Sequence, residues 1–328
     1  MSKILVTGCA GFIGSHLCEK LVKQKYKVVG IDNLSNGKIS NLNTIKNNKN
    51  FEFIKADINN LNILNKNLFK IDKICHLAAL ADIVPSIKNP KSYFKSNVYG
   101  TFNLLNLCKD LKIKKFIYTA SSSCYGIPSK YPTNEKSQID AKYPYALTKR
   151  LGEELSIHFG KLYKIPTVSL RLFNVFGPRA RTSGTYGAVF GVFLAQKLAN
   201  LPYTIVGDGE QKRDFTYVDD VVDAYIEILG SNFKNEIFNV GSGSCYSINY
   251  LVSLLKGNSI NIPKRPGEPD CTFADISKIT KYTNWKPKVT FELGVKKLLE
   301  NIKDFKKAPI WNEKSIAKET KDWFKYLN

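Results

Sequence analysis

The chain has 328 residues, 43% of them hydrophobic and 23% charged, an ordinary globular composition that argues against a disordered protein. No apolar run approaches the roughly 18 residues of a membrane-spanning helix, and the first residues lack an export-signal pattern, so we expect a soluble, cytoplasmic protein without a membrane partner. The formal net charge of +21 would suit nucleic acid, but the lysines are scattered and only six of the 49 basic residues are arginine, so we predict no nucleic-acid partner.

The first half of the chain alternates β-branched runs with helical stretches. Strand–helix alternation of this kind predicts an α/β protein with a parallel, doubly wound Rossmann sheet. The predicted strands cover residues 3–8, 27–32, 51–57, 73–78, 115–120 and 167–173, and the predicted helices lie near 12–24, 92–111 and 144–163.

After residue 178 the alternation loosens, and no linker rich in Pro, Gly or Ser separates the two halves. We therefore predict a Rossmann domain over residues 1–178 and a smaller C-terminal α+β lobe over residues 179–328, with some chain interchange between them. The predicted elements of the second half are strands at 203–206, 214–218 and 237–240, helices near 188–200, 219–229 and 291–305, and a closing helix over 311–328.

A glycine-rich turn, with Gly8, Gly11 and Gly14 three residues apart, follows the first strand and opens a helix. Glycine allows the backbone to lie against a pyrophosphate, and the helix N-terminus supplies free N–H groups. Asp32 ends the second strand, where a carboxylate accepts both ribose hydroxyls of NAD and repels the 2'-phosphate of NADP. Either feature alone could be a tight turn or a surface Asp, but together they predict an NAD site. Further candidate cofactor residues follow the turn and the neighbouring strands: Phe12, Ile13, Asn33, Asp57, Ile58, Leu77, Ala78 and Ala79.

The candidate chemical centre combines Tyr145 and Lys149, four residues apart on one helix face, with Ser121 at the end of the fifth strand. A phenol is a weak base at neutral pH, but an adjacent lysine cation and a positive nicotinamide can lower its pKa. The Tyr–Lys pair alone could be an exposed surface pair; the glycine turn and the serine strand end favour a catalytic site. The cysteines and histidines show no metal-ligand spacing, which predicts no metal.

With these motifs the chain resembles the extended short-chain dehydrogenase/reductase superfamily and, within it, the nucleotide-sugar 4-epimerases. The resemblance runs from residue 3 to about residue 305. The matching segments are residues 7–14, Asp32-Asn33, Leu77-Ala78-Ala79, Asn97, Gly100-Thr101, 121–126, Tyr145, Lys149, 171–178, 207–209, 213–215 and 265–268.

The resemblance implies that tightly bound NAD is recycled within each turnover of a UDP-sugar. Tyr145, assisted by Ser121, would take the proton from the sugar 4'-hydroxyl while C4' passes its hydride to the nicotinamide. The 4-keto sugar would rotate, and the hydride would return to its other face. Lys149 would hold the nicotinamide ribose and lower the pKa of the tyrosine.

The resemblance also implies partners and further contacts. A homodimer would form through the helices near 92–111 and 144–163, and surface-polysaccharide biosynthesis is the expected role. Arg213 and Arg265 would bind the two phosphates. The other contacts it implies are Asn97 and Phe173 for the cofactor, and Ser122, Ser123, Asn174, Glu268 and Thr272 for the substrate.

Three other reactions on this scaffold remain alternatives: 4,6-dehydration, decarboxylation and C4 reduction. In the resembling dehydratases an Asp–Glu pair occupies the positions of Ser122 and Ser123, and decarboxylases carry Glu at the second. The hydroxyls favour epimerisation, and a nucleotide-binding regulator without turnover is a further alternative. By resemblance, Thr272 gates the 2'-substituent, so a small residue there predicts UDP-N-acetylglucosamine and/or UDP-glucose as substrate. Asp82 and residues 179–187 depart from the epimerase pattern, which leaves the sugar open.

Overall fold

The computed structural model describes residues 2–60, 62, 70–180, 189–264 and 268–327. In these ranges the strands are β1 (Lys3–Thr7), β2 (Lys27–Asp32), β3 (Phe51–Lys55), β4 (Lys73–His76), β5 (Lys115–Ser121), β6 (Thr167–Leu172), β7 (Val175–Phe176), β8 (Tyr203–Val206), β9 (Lys212–Arg213), β10 (Thr216–Tyr217), β11 (Glu236–Val240), β12 (Tyr246–Ser247), β13 (Ser259–Ile262) and β14 (Cys271–Thr272).

The helices of the described ranges follow the same order along the chain. They are α1 (Phe12–Lys23), α2 (Ile83–Lys88), α3 (Pro90–Tyr93), a π-helical segment (Phe94–Tyr99), α4 (Gly100–Cys108), α5 (Pro144–Leu162), α6 (Val189–Leu198), α7 (Val218–Gly230), α8 (Ile248–Leu255), α9 (Ser277–Tyr282), α10 (Phe291–Glu300) and α11 (Glu313–Leu327). Short 3-10 turns lie at Ile39–Leu42, Ser122–Tyr125 and Ile302–Phe305. None of these helices is both long and apolar enough to cross a bilayer.

The central sheet has seven strands in the order β11-β6-β5-β4-β1-β2-β3, all parallel. Its strands are apolar on both faces, because helices cover both sides of a parallel sheet. In β1, for example, Ile4 and Val6 join one buried cluster and Leu5 joins the other. The predicted α/β class and Rossmann sheet are confirmed.

The second half of the chain contributes to this sheet. Strand β11 pairs with β6 in parallel, with Phe238 opposite Leu170, and α7 packs against α1. Residues 236–240, predicted in the lobe, therefore extend the Rossmann sheet. The remaining described strands form small sheets in the orders β12-β9-β14, β13-β8 and β10-β7.

Two predicted elements differ from the structure. The predicted strand 214–218 is reduced to β10 at Thr216–Tyr217, and Lys212–Arg213 before it forms β9; between them the buried Asp214 carboxylate accepts hydrogen bonds from Ser242 and Ala274. The predicted helix 92–111 is also interrupted, since Phe94–Tyr99 is π-helical. The π turn carries Asn97, whose side chain bonds the loop after β4.

Candidate active site

The glycine-rich turn connects β1 to α1 at the carboxyl edge of the sheet. Gly8 has φ +71°, and a Cβ there would lie 2.8 Å from the Ala78 nitrogen; a Cβ on Gly14 would lie 2.1 Å from the Gly8 carbonyl oxygen. Gly11 occupies the N-cap of α1, and no described side chain caps that helix. Phe12 and Ile13 begin it. The turn therefore leaves N–H groups of a 12-residue helix available to an anion, as a dinucleotide pyrophosphate requires.

Asp32, at the end of β2, lies beside this turn and is 8% exposed. One carboxylate oxygen accepts from the Ala10 N–H at 3.0 Å and the other from the Leu34 N–H at 2.8 Å. Burial raises the pKa of Asp32, and these two hydrogen bonds oppose the rise. Because a carboxylate has about four acceptor sites, both oxygens can still accept from the two hydroxyls of a ribose.

The other predicted cofactor residues line the neighbouring strand ends. Asn33 donates to Asp57 at 2.9 Å; burial would raise the pKa of Asp57, but hydrogen bonds from Asn59 and Asn33 hold it below the usual range. Ile58 is buried against Gly100. The remaining predicted positions are Leu77, Ala78 and Ala79, which follow β4, and the buried Phe173, which follows β6.

A buried chain of hydrogen bonds joins β1 to the π turn through His76. The Thr101 hydroxyl donates to the Asn97 carbonyl at 2.6 Å, so it accepts from His76 Nε2 at 2.9 Å. His76 Nδ1 then accepts from the Thr7 hydroxyl at 2.7 Å, and burial together with Lys149 lowers the pKa of His76 to about 3. Sequence reasoning missed Thr7 and His76; the available signal was a polar residue ending each of two apolar strands.

Asn97 fixes the loop after β4. Its side-chain oxygen accepts from the Leu80 N–H at 2.7 Å, and its amide donates to the Leu80 carbonyl at 2.9 Å and to Thr148 at 3.1 Å. Asn97 therefore links the loop after β4 to α5, the helix that carries Tyr145 and Lys149.

The Ser121 hydroxyl acts on the Tyr145 phenol and lowers its pKa. The Ser121 oxygen also accepts from the Ser123 N–H at 3.2 Å and from the Ser123 hydroxyl at 2.9 Å. Burial raises the pKa of Tyr145, the Ser121 bond lowers it, and the Asp82 charge raises it. Ser122 and Ser123 lie in the 3-10 turn after β5.

Lys149 lies one helical turn after Tyr145 and is 4% exposed. Burial lowers its pKa to about 7, and the Glu153 carboxylate opposes that decrease. Its ammonium group is 4.6 Å from the centre of the Tyr118 ring. Sequence reasoning missed Glu153, a buried carboxylate at i+4 from Lys149 that binds Arg171 at 2.7 Å.

Four of the predicted substrate residues lie together: Arg213 on β9, Thr272 on β14, Glu268 before β14 and Asn174 after β6. Arg213 is bonded to Glu268 at 3.0 Å, and β9 pairs Arg213 with Thr272. Thr272 donates to the Asn174 side-chain oxygen at 2.7 Å. These four residues therefore form one contiguous group, and Arg265 lies outside the described residues.

Comparisons with known proteins place this arrangement in a family. Residues 5–298 match a family model described as GDP-mannose 4,6 dehydratase. A UDP-glucose 4-epimerase of Mycolicibacterium smegmatis is 34% identical over 307 residues, which are 91% of this chain and 97% of that protein. The chain belongs to the extended short-chain dehydrogenase/reductase family of nucleotide-sugar epimerases.

Two solved structures of this epimerase family are also similar to the chain. UDP-glucuronic acid 4-epimerase from Bacillus cereus, in complex with UDP-glucuronic acid and NAD, is 38% identical, with a TM-score of 0.86 and coverage of 92% of this chain and 99% of that one. UDP-N-acetylglucosamine 4-epimerase from Methanobrevibacter ruminantium M1, in complex with UDP-N-acetylmuramic acid, is 36% identical, with a TM-score of 0.85 and the same coverage. The predictions of the family, of NAD as cofactor and of an NAD-dependent nucleotide-sugar epimerase are confirmed.

Proposed function

We propose that the chain is a 4-epimerase for a neutral UDP-hexose, UDP-N-acetylglucosamine and/or UDP-glucose, working through a transient 4-keto sugar. The observation that carries this proposal is the arrangement at the end of β5, where the Ser121 hydroxyl acts on the Tyr145 phenol and the buried Lys149 follows one helical turn later. Bound NAD supplies a hydride acceptor that returns the hydride within the same turnover.

Tyr145 is the proposed base for the 4'-hydroxyl of the sugar. Its pKa is raised by burial, so ionisation needs compensating interactions. Ser121 donates to the phenolic oxygen, and the bond from Ser121 stabilises the phenolate. Lys149, with a pKa of about 7, is divided between ammonium and amine near neutral pH, and the ammonium form favours the phenolate. Tyr145 then gives the proton back when the 4-keto group is reduced.

The hydroxyls of Ser122 and Ser123 support epimerisation over dehydration or decarboxylation. Loss of water from C5' and C6' needs a second acid–base pair beside the phenol. Serine has no carboxylate for that role, and Ser123 already donates to Ser121 at 2.9 Å. With proton transfer confined to one position, the sugar can only be oxidised and reduced at C4'.

The small side chain of Thr272 supports a choice of sugar. Its hydroxyl is bonded to Asn174, so the short side chain is held against the loop after β6. A side chain of this size takes less space than a bulky residue would, which favours a sugar with an acetamido group, and we propose Arg213 and Glu268 as contacts of the nucleotide. Arg265 is proposed as a second phosphate contact.

We further propose a cytoplasmic homodimer that serves polysaccharide biosynthesis. Phe94, Tyr99, Leu147 and Leu162 lie on the π turn and α5 and are about half exposed, between 49% and 57%. Apolar side chains in such number on adjacent helices are typical of an interface between subunits.

The proposal is tested by incubating the purified protein, without added NAD, with UDP-N-acetylglucosamine and separately with UDP-glucose. Proton NMR and intact mass follow the products. We expect a sugar nucleotide of unchanged mass with C4' inverted. A product lighter by one water or one carbon dioxide would replace epimerisation with dehydration or decarboxylation, and net oxidation or reduction would indicate a C4 reductase.

A further inference from the structure

Asp82 has an unusual backbone conformation in the loop that follows β4. Its φ is +80° and its ψ is 137°, a region that residues with a Cβ rarely adopt. Asp82 is the N-cap residue of α2, yet its side chain does not cap that described helix. A strained backbone that the surrounding structure holds in place is typical of residues at a functional site.

Hydrogen bonds on both preceding residues hold Asp82 in place. The Leu80 backbone is bonded through both its N–H and its carbonyl to Asn97, at 2.7 and 2.9 Å. The Ala81 carbonyl accepts from the Tyr93 hydroxyl. The Tyr93 ring packs edge-on against Tyr145, with 6.4 Å between ring centres. The residue before Asp82 is therefore anchored to Tyr93, whose ring packs against Tyr145.

The negative charge of Asp82 raises the pKa of the Tyr145 phenol. Burial is the main cause that raises the pKa of Tyr145. The Ser121 hydroxyl from β5 lowers it, while Asp82 from the loop after β4 and the Cys124 thiol from the 3-10 turn raise it further. A carboxylate that opposes the proposed base would be a disadvantage unless it serves another purpose.

We propose that Asp82 selects against hexuronates and restricts the site to sugars without a carboxylate at C5'. This inference rests on the proposed function, because it takes the 4'-hydroxyl to lie at Tyr145. The C5' substituent is attached next to C4', so a uronate carboxylate would lie within a few bonds of that hydroxyl. Two carboxylates in a partly buried site repel each other far more than in bulk water. A neutral hydroxymethyl group meets no such repulsion.

The test compares kcat/KM for UDP-glucose, UDP-N-acetylglucosamine and UDP-glucuronate in the wild type and in three variants. Asp82→Asn removes the charge and keeps the shape, while Asp82→Gly removes the charge and the backbone strain. Asp304→Asn removes one exposed carboxylate elsewhere and is the charge control. The readout is the ratio of uronate to neutral-sugar kcat/KM, with circular dichroism to verify folding.

We expect the wild type to favour a neutral sugar and both Asp82 variants to raise the uronate ratio at least tenfold, with Asp304→Asn unchanged. Asp82→Asn should also move the acidic limb of the pH–rate profile to lower pH, because loss of the negative charge lowers the pKa of Tyr145. A rise with Gly but not Asn would assign the effect to backbone shape and overturn the charge proposal.

Two outcomes separate this inference from the proposed function. A wild type that converts UDP-glucuronate as well as the neutral sugars overturns the inference and leaves 4-epimerisation in place. A wild type that converts none of the three overturns the proposed function, and this inference with it.

Discussion

Arg171 and Arg150 bind the same buried carboxylate but lie in different environments. Arg171 is 2% exposed, and it donates from Nε and from a terminal nitrogen to Glu153, the latter at 2.7 Å. Its other terminal nitrogen donates to the Tyr125 hydroxyl at 2.7 Å and to the Glu135 carbonyl at 3.1 Å. Arg150 reaches Glu153 from α5 with a side chain that is 23% exposed. The two arginines therefore provide a matched pair of deletions.

Arg171→Met should destabilise the protein by about 3–5 kcal/mol, because it leaves a carboxylate that is 1% exposed without its main cation. At about 2–4 °C per kcal/mol, Tm should fall by roughly 10 °C. Arg150→Met should cost about 1 kcal/mol or less, since Arg171 still pairs with Glu153 and the lost group is partly solvated. Thermal unfolding by circular dichroism at pH 7 measures both.

The pH dependence adds a second check on the same pair. Burial would raise the pKa of Glu153, but Arg171 holds it below the usual range. The pair therefore stabilises the fold fully at pH values above the pKa of glutamate in the unfolded chain, and this stabilisation is lost as the pH falls below that value. The difference in Tm between wild type and Arg171→Met should therefore shrink on acidification. Equal effects of the two substitutions, or a loss for Arg171→Met below 1 kcal/mol, would contradict this reasoning.

Three further predictions concern the site. Burial lowers the pKa of Lys149 to about 7, so below the pKa of lysine in the unfolded chain the folded state binds this proton less readily than the unfolded state does. The resulting loss of stability is larger at pH 6 than at pH 9, and Lys149→Met should therefore raise Tm more at pH 6. An equal or reversed effect in thermal scans would count against this. Ser121→Ala should move the acidic limb of the pH–rate profile to higher pH, because it removes the bond that lowers the pKa of Tyr145; an unmoved limb would refute the assignment. Thr272→Tyr should abolish turnover of UDP-N-acetylglucosamine and spare UDP-glucose, and unchanged acetamido turnover would refute the gate.

Much of the Rossmann sheet could be predicted because its signal is local. The first six strands are short β-branched or apolar runs, three of them followed by a helical stretch, and the glycine turn and Asp32 mark the ends of β1 and β2 within a short segment. The Tyr145–Lys149 spacing is likewise readable, since one helical turn separates the two residues. These features depend on neighbours in sequence.

The remaining features depend on residues distant in sequence. Strand β11 pairs with β6, which lies about 70 residues earlier in the chain, and no pattern within residues 236–240 predicts which strand it pairs with. The His76 hydrogen bonds join Thr7 to Thr101, and Arg171 meets Glu153 across β6 and α5. The π turn places Asn97 where it bonds the Leu80 loop, a tertiary contact that helical periodicity in the sequence does not predict.

The central claim is that one hydride leaves C4' and returns to the same carbon. It is tested most directly by incubating the purified enzyme, without added NAD, with UDP-glucose that carries deuterium at C4', in ordinary water. The account predicts an inverted product that keeps its deuterium at C4', because the hydride stays on the bound cofactor. Inverted product that has exchanged C4' deuterium for solvent hydrogen would contradict hydride recycling.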